Sequence, residues 1–354
     1  MPLGEAGWPV WGHGEAVTDL RRSLADGRLA HAYLVAGPAG IGKTALAMLF
    51  AQAACCVEPD RPDPTVGCGA CLACRKIAKG VHPDVETYSL ERQARTADKV
   101  IGKNTSLTIE TVRTMCAAIS LRPMEADRRF VIIDDAATMQ GVAQEALLKT
   151  LEEPPSAVVI MVLTDDLDAI LPTVRSRCRS LMLRPVSRGV LTDLVRAVAP
   201  ASLTDADISV VTSAANGRPG WALRALRDPE MIAARRGSME RALGLIGANG
   251  YDRLVAAVRL GDTFAKRRAE VFTELEALLG IWRDALLLRA GLGEQVSHPE
   301  YADQVRDAAS GWELPAVTRA LKAVQICIAD LESNVRPKLA LEAMVLAWPT
   351  QLRP

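Results

Sequence analysis

The sequence predicts a wound, parallel α/β sheet followed by helical domains, and three observations predict it. Apolar runs of strand length recur between amphipathic helical stretches. One of them, His31 to Ala36, opens directly into Gly37-Pro-Ala-Gly40-Ile-Gly42-Lys43-Thr44. Another, Phe130 to Ile133, closes on two adjacent carboxylates, Asp134 and Asp135. Acids at the carboxyl end of a buried strand lie where open parallel sheets place their ligands.

Bulk properties bound the answer. At 354 residues the chain has room for two or three domains. Its 42 basic and 42 acidic residues exclude a strongly basic nucleic-acid coat, though not a local basic face. No uncharged apolar run reaches membrane-spanning length and no signal pattern opens the chain, so a soluble, cytoplasmic protein without a membrane partner is expected. Four Phe and four Tyr against many Ala and Leu fit a mainly helical protein. Three of the eight cysteines crowd into one cluster, which in a reducing compartment reads as metal rather than disulfide.

Taken in order, Trp8 to Trp11 precede a helical pattern through Val17, Leu20 and Leu24 towards Gly27. After the first strand comes a complete G-x-x-x-x-G-K-T phosphate loop, with a helix from Ala45 to Cys56 behind it. Gly37, Gly40 and Gly42 let backbone amides turn inward around phosphates, and the helix N-terminus adds positive potential. Lys43 is placed to reach the β- and γ-phosphates and the Thr44 hydroxyl to ligate Mg²⁺. Cys68-x2-Cys71-x2-Cys74 follows a proline-rich stretch. Three thiolates so spaced suit a tetrahedral, structural Zn²⁺ short of one ligand. Cys55 or Cys56 is placed to supply it, with His82 behind them.

A strand is expected within Val81 to Leu90, while Ser89 to Ser106 is a polar insertion of no assigned structure. Ile109, Val112, Cys116 and Ile119 mark a helix leading into Phe130. Met139, Val142, Ala143, Ala146, Leu147 and Leu151 share one face of the next, which Pro154 and Pro155 end. Val158 to Leu163 is a second buried run closing on Thr164, and Leu181 to Leu183 is the last short strand. Beyond Pro185 the pattern is helical to Arg227, with Gly217-Arg-Pro-Gly220 as an interruption. It is helical again from Ala233 to Trp348, where apolar positions such as Val271, Leu275, Leu278, Leu279, Trp282, Leu286 and Leu287 exceed the needs of one solvated helix. They imply a bundle core, with part of the surface packed on neighbouring subunits.

With these features placed, the chain resembles the bacterial clamp-loader branch of the AAA+ ATPases. The resemblance rests on His31-Ala-Tyr, Gly37 to Thr44, the cysteine cluster, Glu145-Ala-Leu-Leu-Lys-Thr-Leu-Glu-Glu-Pro-Pro155, Leu171-Pro-Thr and Ser176-Arg-Cys178. Trp282-Arg-Asp284 and Asn334-Val-Arg-Pro-Lys-Leu-Ala-Leu-Glu-Ala343 are similar to the collar segment of that family. It extends over nearly the whole chain and is densest at 29–56 and 130–178.

The resemblance implies an AAA+ P-loop NTPase domain over 1–184 with a zinc module at about 55–82, a small helical lid domain over 185–230, and an all-α collar domain over 231–354. It implies a ring of five subunits that loads a sliding clamp onto primer-template DNA, with ATP sites at the subunit boundaries. Arg177 would then reach a neighbour's γ-phosphate, a task suited to a permanently charged guanidinium. Nucleotide and Mg²⁺ would lie against Gly37, Gly40, Gly42, Lys43, Thr44, Asp134, Asp135 and Thr164, with Thr44 and Asp134 as the Mg²⁺ side. Cys56, Cys68, Cys71 and Cys74 match the family's zinc ligands, with Cys55 in reserve.

Two departures and one retained feature bear on activity. Asp135 stands where active loader ATPases carry Glu, one methylene shorter and about 1 Å short of an attacking water. Gly220 stands where they carry a phosphate-sensing arginine, with Arg224 one turn on. The phosphate loop, by contrast, is intact. ATP binding with slow or absent turnover is therefore expected of an assembly subunit. The alternative is the ATP-hydrolysing motor subunit, using Lys43, Thr44, Asp134 and Thr164; a chain ending at the collar without a polymerase-binding tail is expected to favour the former. A zinc-dependent nucleic-acid reader fits less well, because no run of Arg and aromatic residues flanks the cysteines. Plainer roles also exist: a surface ion pair for Arg177, a strand-end cap for Thr164, a packed residue for His31.

Overall fold

The computed structural model describes residues 7–96, 106–200, 203–333 and 335–349. Two compact units divide the chain, the first comprising 1–200 with 217–223 and the second 201–216 with 224–354.

The first unit is built on five parallel strands: β1 (Ala32–Ala36), β2 (Val85–Tyr88), β3 (Arg129–Ile133), β4 (Val158–Thr164) and β5 (Arg179–Met182), in the order β2-β3-β4-β1-β5. β1, β3 and β4 are buried throughout, which is why they read as unbroken apolar runs. The last strand starts and ends earlier than its apolar pattern predicted, because only Leu181 within it is buried. Alternation along the strands makes two cores. On one face Tyr33, Phe130, Val159 and Met161 pack with α1 (Gly14–Ala25) and α2 (Lys43–Cys55), and Phe50 sits edge-on between Tyr33 and Phe130 at 5.3 and 5.6 Å. A short helix, α3 (Leu72–Ala78), joins α2 beyond its end. On the other face Leu34, Val131, Ile160 and Val162 meet α5 (Ile109–Ile119), α6 (Gly141–Glu152) and α7 (Pro172–Arg175). The polar insertion contains α4 (Leu90–Thr96); its residues 97–105 lie outside the described ones. One residue of the predicted α6 face does not belong to it: Val142 is 60% exposed, and the buried position beside Ala143 is Gln144.

Register fixes where the chemistry emerges. Ala36 pairs with Thr164 and Ile133 with Val162, so the phosphate loop, the two acids and Thr164 leave the sheet side by side. Gly37 N donates back to the Thr164 carbonyl.

Asp84, immediately before β2, anchors the approach to β3. It is fully buried and accepts from the amides of Met124, Glu125 and Ala126 at 2.7–2.9 Å, with the buried Arg129 guanidinium 3.6 Å away. Burial opposes ionisation, but these amides and Arg129 outweigh it and hold the carboxyl below its usual range. An Asp84→Ala chain strands a buried cation and three amides, so a loss of about 3–5 kcal/mol in urea unfolding of this unit is expected. A loss under about 1 kcal/mol would refute the account. Because the folded pKa is depressed, the contribution is complete above the unfolded carboxyl value of about 3.9 and is lost as pH falls through the folded value. The gap between wild type and Asp84→Asn therefore closes in acid.

After β5 come α8 (Arg188–Val198), α9 (Asp205–Ala215) and α10 (Pro219–Ala225). Thr204 and Asp207 close a capping box on α9, as a helix beginning near Leu203 requires. Gly220, expected in an interruption, lies inside α10: Pro219 needs no amide partner in a first turn, and the bend is confined to Asn216 and Gly217, both at positive φ.

The second unit is helical: α9, α11 (Pro229–Gly247), α12 (Gly250–Thr263), α13 (Arg268–Arg289), α14 (Ala302–Ala309), α15 (Leu314–Glu332) and α16 (Pro337–Leu346). Trp282 packs with Trp312 and Trp348 at its centre. The buried Arg253 donates to the Leu245, Ile246 and Pro349 carbonyls and stacks on Trp348, closing the C-terminal end of α11. Asn334 of the collar-like segment lies outside the described residues. Among the described residues no helix is long and apolar enough to cross a membrane.

Candidate functional site

Glycine geometry shapes the phosphate loop. Gly40 (φ 79°) and Gly42 (φ 115°) lie in the left-handed region that disfavours a side chain, and Gly42 caps the start of α2. Lys43 donates to the Gly37 carbonyl at 2.7 Å and to that of Pro38 at 3.3 Å, inside the loop a phosphate would enter. Burial lowers the Lys43 pKa, while the carboxylates of Asp165, Asp134 and Asp135 oppose that shift. Thr44 Oγ1 donates to Asp134 Oδ2 at 2.8 Å, bringing together two hard oxygen donors suited to Mg²⁺. These residues fit a Mg²⁺–nucleotide, whose metal would neutralise phosphate charge.

Asp135 is oriented differently. Its backbone is left-handed (φ 57°), and its carboxylate accepts from the Leu90 amide at the start of α4. Burial and the neighbouring charges of Asp134 and Asp165 raise its pKa against that hydrogen bond. Thr164 is buried, exchanging hydrogen bonds with the backbone of Asp166. His31 is partly buried and precedes β1, where its carbonyl accepts from Ile160.

Arg177 follows α7 on the edge of the unit. One guanidinium nitrogen donates to the Thr173 carbonyl, the other to Glu152 Oε1 at 2.7 Å. The pair is half-exposed, and such pairs contribute about 0–1 kcal/mol.

Sequence spacing leaves Cys55 and Cys56 open as the fourth thiol, and the geometry selects Cys56. α2 ends at Cys55, and Cys56 turns extended (ψ 122°), so Cys55 stays in the core, its thiol pushed up to about 12 by burial, while Cys56 faces the loop. The sulfurs of Cys56, Cys68, Cys71 and Cys74 all lie within 4.8 Å of one another, and two pairs are 4.0 Å apart. Tetrahedral Zn–S bonds of about 2.3 Å place sulfurs about 3.8 Å apart, so the set fits Zn²⁺. The amides of Cys68, Cys71 and Cys74 point at Cys56, Cys68 and Cys71 sulfurs respectively, as thiolates favour. Against burial, backbone amides of Cys74 and Val57 bring the Cys71 thiol down to about 6. His82 is not in the set: its Nδ1 accepts from the Asp84 amide.

Two site neighbours, His13 and Asp165, are not singled out by the sequence, and the structure gives Gly220 a specific place. His13 reaches the Ile41 carbonyl beside the phosphate loop at 3.2 Å. Asp165 adds a third carboxylate near Lys43, and register alone could have found it, one residue past Thr164. At Gly220 a Cβ would lie 2.8 Å from the Gly40 carbonyl, which accepts from the Trp221 amide at 3.1 Å. The first turn of α10 is therefore seated on the phosphate loop.

A family model described as DNA polymerase III, delta subunit, matches residues 12–187. The DNA polymerase III subunit delta' of Bacillus subtilis is 25% identical over 92% of this chain and 93% of its own length. That of Pseudomonas aeruginosa is 38% identical over 42% of each. The gamma/tau subunit of Mycobacterium tuberculosis is 26% identical over 95% of this chain, which spans 59% of that relative's length. Among solved structures, a gamma subunit-related protein of Thermotoga maritima covers 94% of this chain and 97% of its own at 18% identity and a TM-score of 0.43.

Proposed function

As a member of the DNA polymerase III clamp-loader subunits, of the delta' or gamma/tau type, the chain has two roles open to it, and we propose the first: a delta'-type ring member that lends Arg177 to the ATP site of an adjacent subunit. Its partners are then gamma/tau and delta subunits in a hetero-pentameric ring, the sliding clamp, and primer-template DNA. It is a component of the replicative DNA-directed DNA polymerase and lies in the cytoplasm. Its own nucleotide site binds Mg²⁺–ATP and turns it over slowly or not at all.

The observation that carries this reading is the seat of Gly220 on the Gly40 carbonyl. In loader ATPases that position carries a phosphate-sensing arginine by family resemblance, and here it has no room for a Cβ. The engagement of Asp135 by the Leu90 amide supports the same conclusion, because a water-orienting carboxylate must be free and long enough to reach.

The test disables this chain's own site within the assembled loader. Purified chain is expected to bind an ATP analogue, and Lys43→Ala in this chain is expected to leave ATP turnover by the loader with its clamp and primer-template near wild type. Loss of most of that turnover would favour the gamma/tau-type motor instead.

A further inference from the structure

The nucleotide site treats the phosphates of a ligand unequally. Toward the inner phosphates the loop is intact: Gly40 and Gly42 turn it, the start of α2 adds positive potential, and Thr44 and Asp134 offer oxygens for Mg²⁺. Beyond them, donors are engaged or missing. Thr164, at the end of β4, is 1% exposed; its one hydroxyl proton goes to the Asp166 carbonyl, and its oxygen accepts from the Asp166 amide. Gly220 carries no side chain, and a Cβ there would lie 2.8 Å from the Gly40 carbonyl, so at this position α10 offers the loop backbone only. Charge points the same way. A γ-phosphate comes within reach of Lys43. Asp165, Asp134 and Asp135 all lie close enough to act on that ammonium, and Asp134 and Asp165 act on Asp135 as well. Mg²⁺ at Thr44 and Asp134 offsets one of the three acids and leaves the charges of Asp135 and Asp165 near whatever lies beyond the β-phosphate.

We infer that this site holds Mg²⁺ with a nucleoside diphosphate in preference to the triphosphate. The loop, Lys43 and Thr44 bind what the two ligands share, and the added phosphate brings one more negative charge among acids without a matching donor. The subunit then stays loaded with product-state nucleotide while its neighbours exchange theirs. The inference rests on the nucleotide-binding reading of the site and is independent of the role given to Arg177.

The experiment compares two ligands on the purified full chain, freed of nucleotide, by equilibrium dialysis with Mg²⁺: ADP and the β,γ-imido analogue of ATP. ADP is expected to bind roughly tenfold more tightly or better, which is about 1.4 kcal/mol. Two changes should narrow that ratio. Asp165→Asn, at an exposed position, removes one repelling charge with little change of size and should improve the analogue severalfold more than ADP. Raised ionic strength should act in the same direction, because exposed charges are screened. A site that was merely too narrow would reject the extra phosphate by its volume, and neither change would move the ratio. Equal affinities, tighter binding of the analogue, or a ratio that neither change moves overturns the inference. Binding of neither ligand brings down the nucleotide-binding reading itself, and the outcomes are thus distinguishable.

Discussion

An Arg177→Ala chain assembled with its partners is expected to lower turnover at the ATP site it faces by about 10³-fold or more, with the ring intact by size exclusion. Two magnitudes decide this. In the isolated subunit Arg177 is held by Thr173 and by Glu152, a half-exposed pair that contributes about 0–1 kcal/mol. A guanidinium on the charge of a transferring phosphoryl group supplies a 10³-fold acceleration, equivalent to about 4 kcal/mol. On the proposed reading, the contact with Glu152 is a resting place that a neighbour's triphosphate would displace at small cost. Two controls sharpen the expectation. Arg177→Lys should restore little, because an ammonium lacks the planar, forked geometry. Glu152→Ala should leave turnover at or above wild type, because it removes only the competing carboxylate. An assembled Arg177→Ala loader that hydrolyses ATP at the normal rate would leave Arg177 as the surface ion-pair residue that the bare sequence equally allows.

Much of the architecture was legible because β1, β3 and β4 are buried on both faces. Val158 to Thr164 has no exposed side, so it cannot be read as anything but a core strand once Pro155 precedes it and an acid-ended strand lies before it. The phosphate loop was legible for a different reason: its glycines and lysine are chemically specific in a fixed order. What escaped was whatever depends on partners distant in sequence. Asp84 looks like an ordinary loop acid until three amides some forty residues away converge on it. Gln144 looks like a solvated helix residue, and Val142 like the core one, because periodicity cannot tell which of two adjacent positions a neighbouring loop will cover. The choice between Cys55 and Cys56 turned on one ψ angle at the end of α2. Gly220 read as a helix breaker, whereas its lack of a Cβ serves close approach to Gly40.

Removal of metal is the other large effect expected. The loop carrying Cys68 and Cys71 offers little apolar burial of its own, and Val57 and Leu72 are 63% and 58% exposed. Val66 packs against the core, and the loop's other ties to it are polar: Gln52 to the Cys74 carbonyl, Arg61 to the Ala53 carbonyl, and Trp8 to the Thr65 carbonyl. A few such bonds contribute about 0.5–1.5 kcal/mol each. Structural zinc in small modules contributes about 10–16 kcal/mol at neutral pH, so the ion rather than the packing would set the stability of residues 56–72. Chain purified from zinc-replete cells is accordingly expected to carry about one zinc. Cys56→Ser and Cys68→Ser should lose it, whereas Cys55→Ser, buried in the core with its thiol at about 12, should keep it. Chelation at pH 7 should expose the segment between Cys56 and Leu72 to proteolysis while amides of β1, β3 and β4 stay protected, since the sheet buries its own core. Retention should weaken in acid, because the ligands bind as thiolates and each must shed a proton. Zinc kept by Cys56→Ser and lost by Cys55→Ser would reverse the ligand assignment, and unchanged protease resistance after chelation would show that packing alone holds the module together.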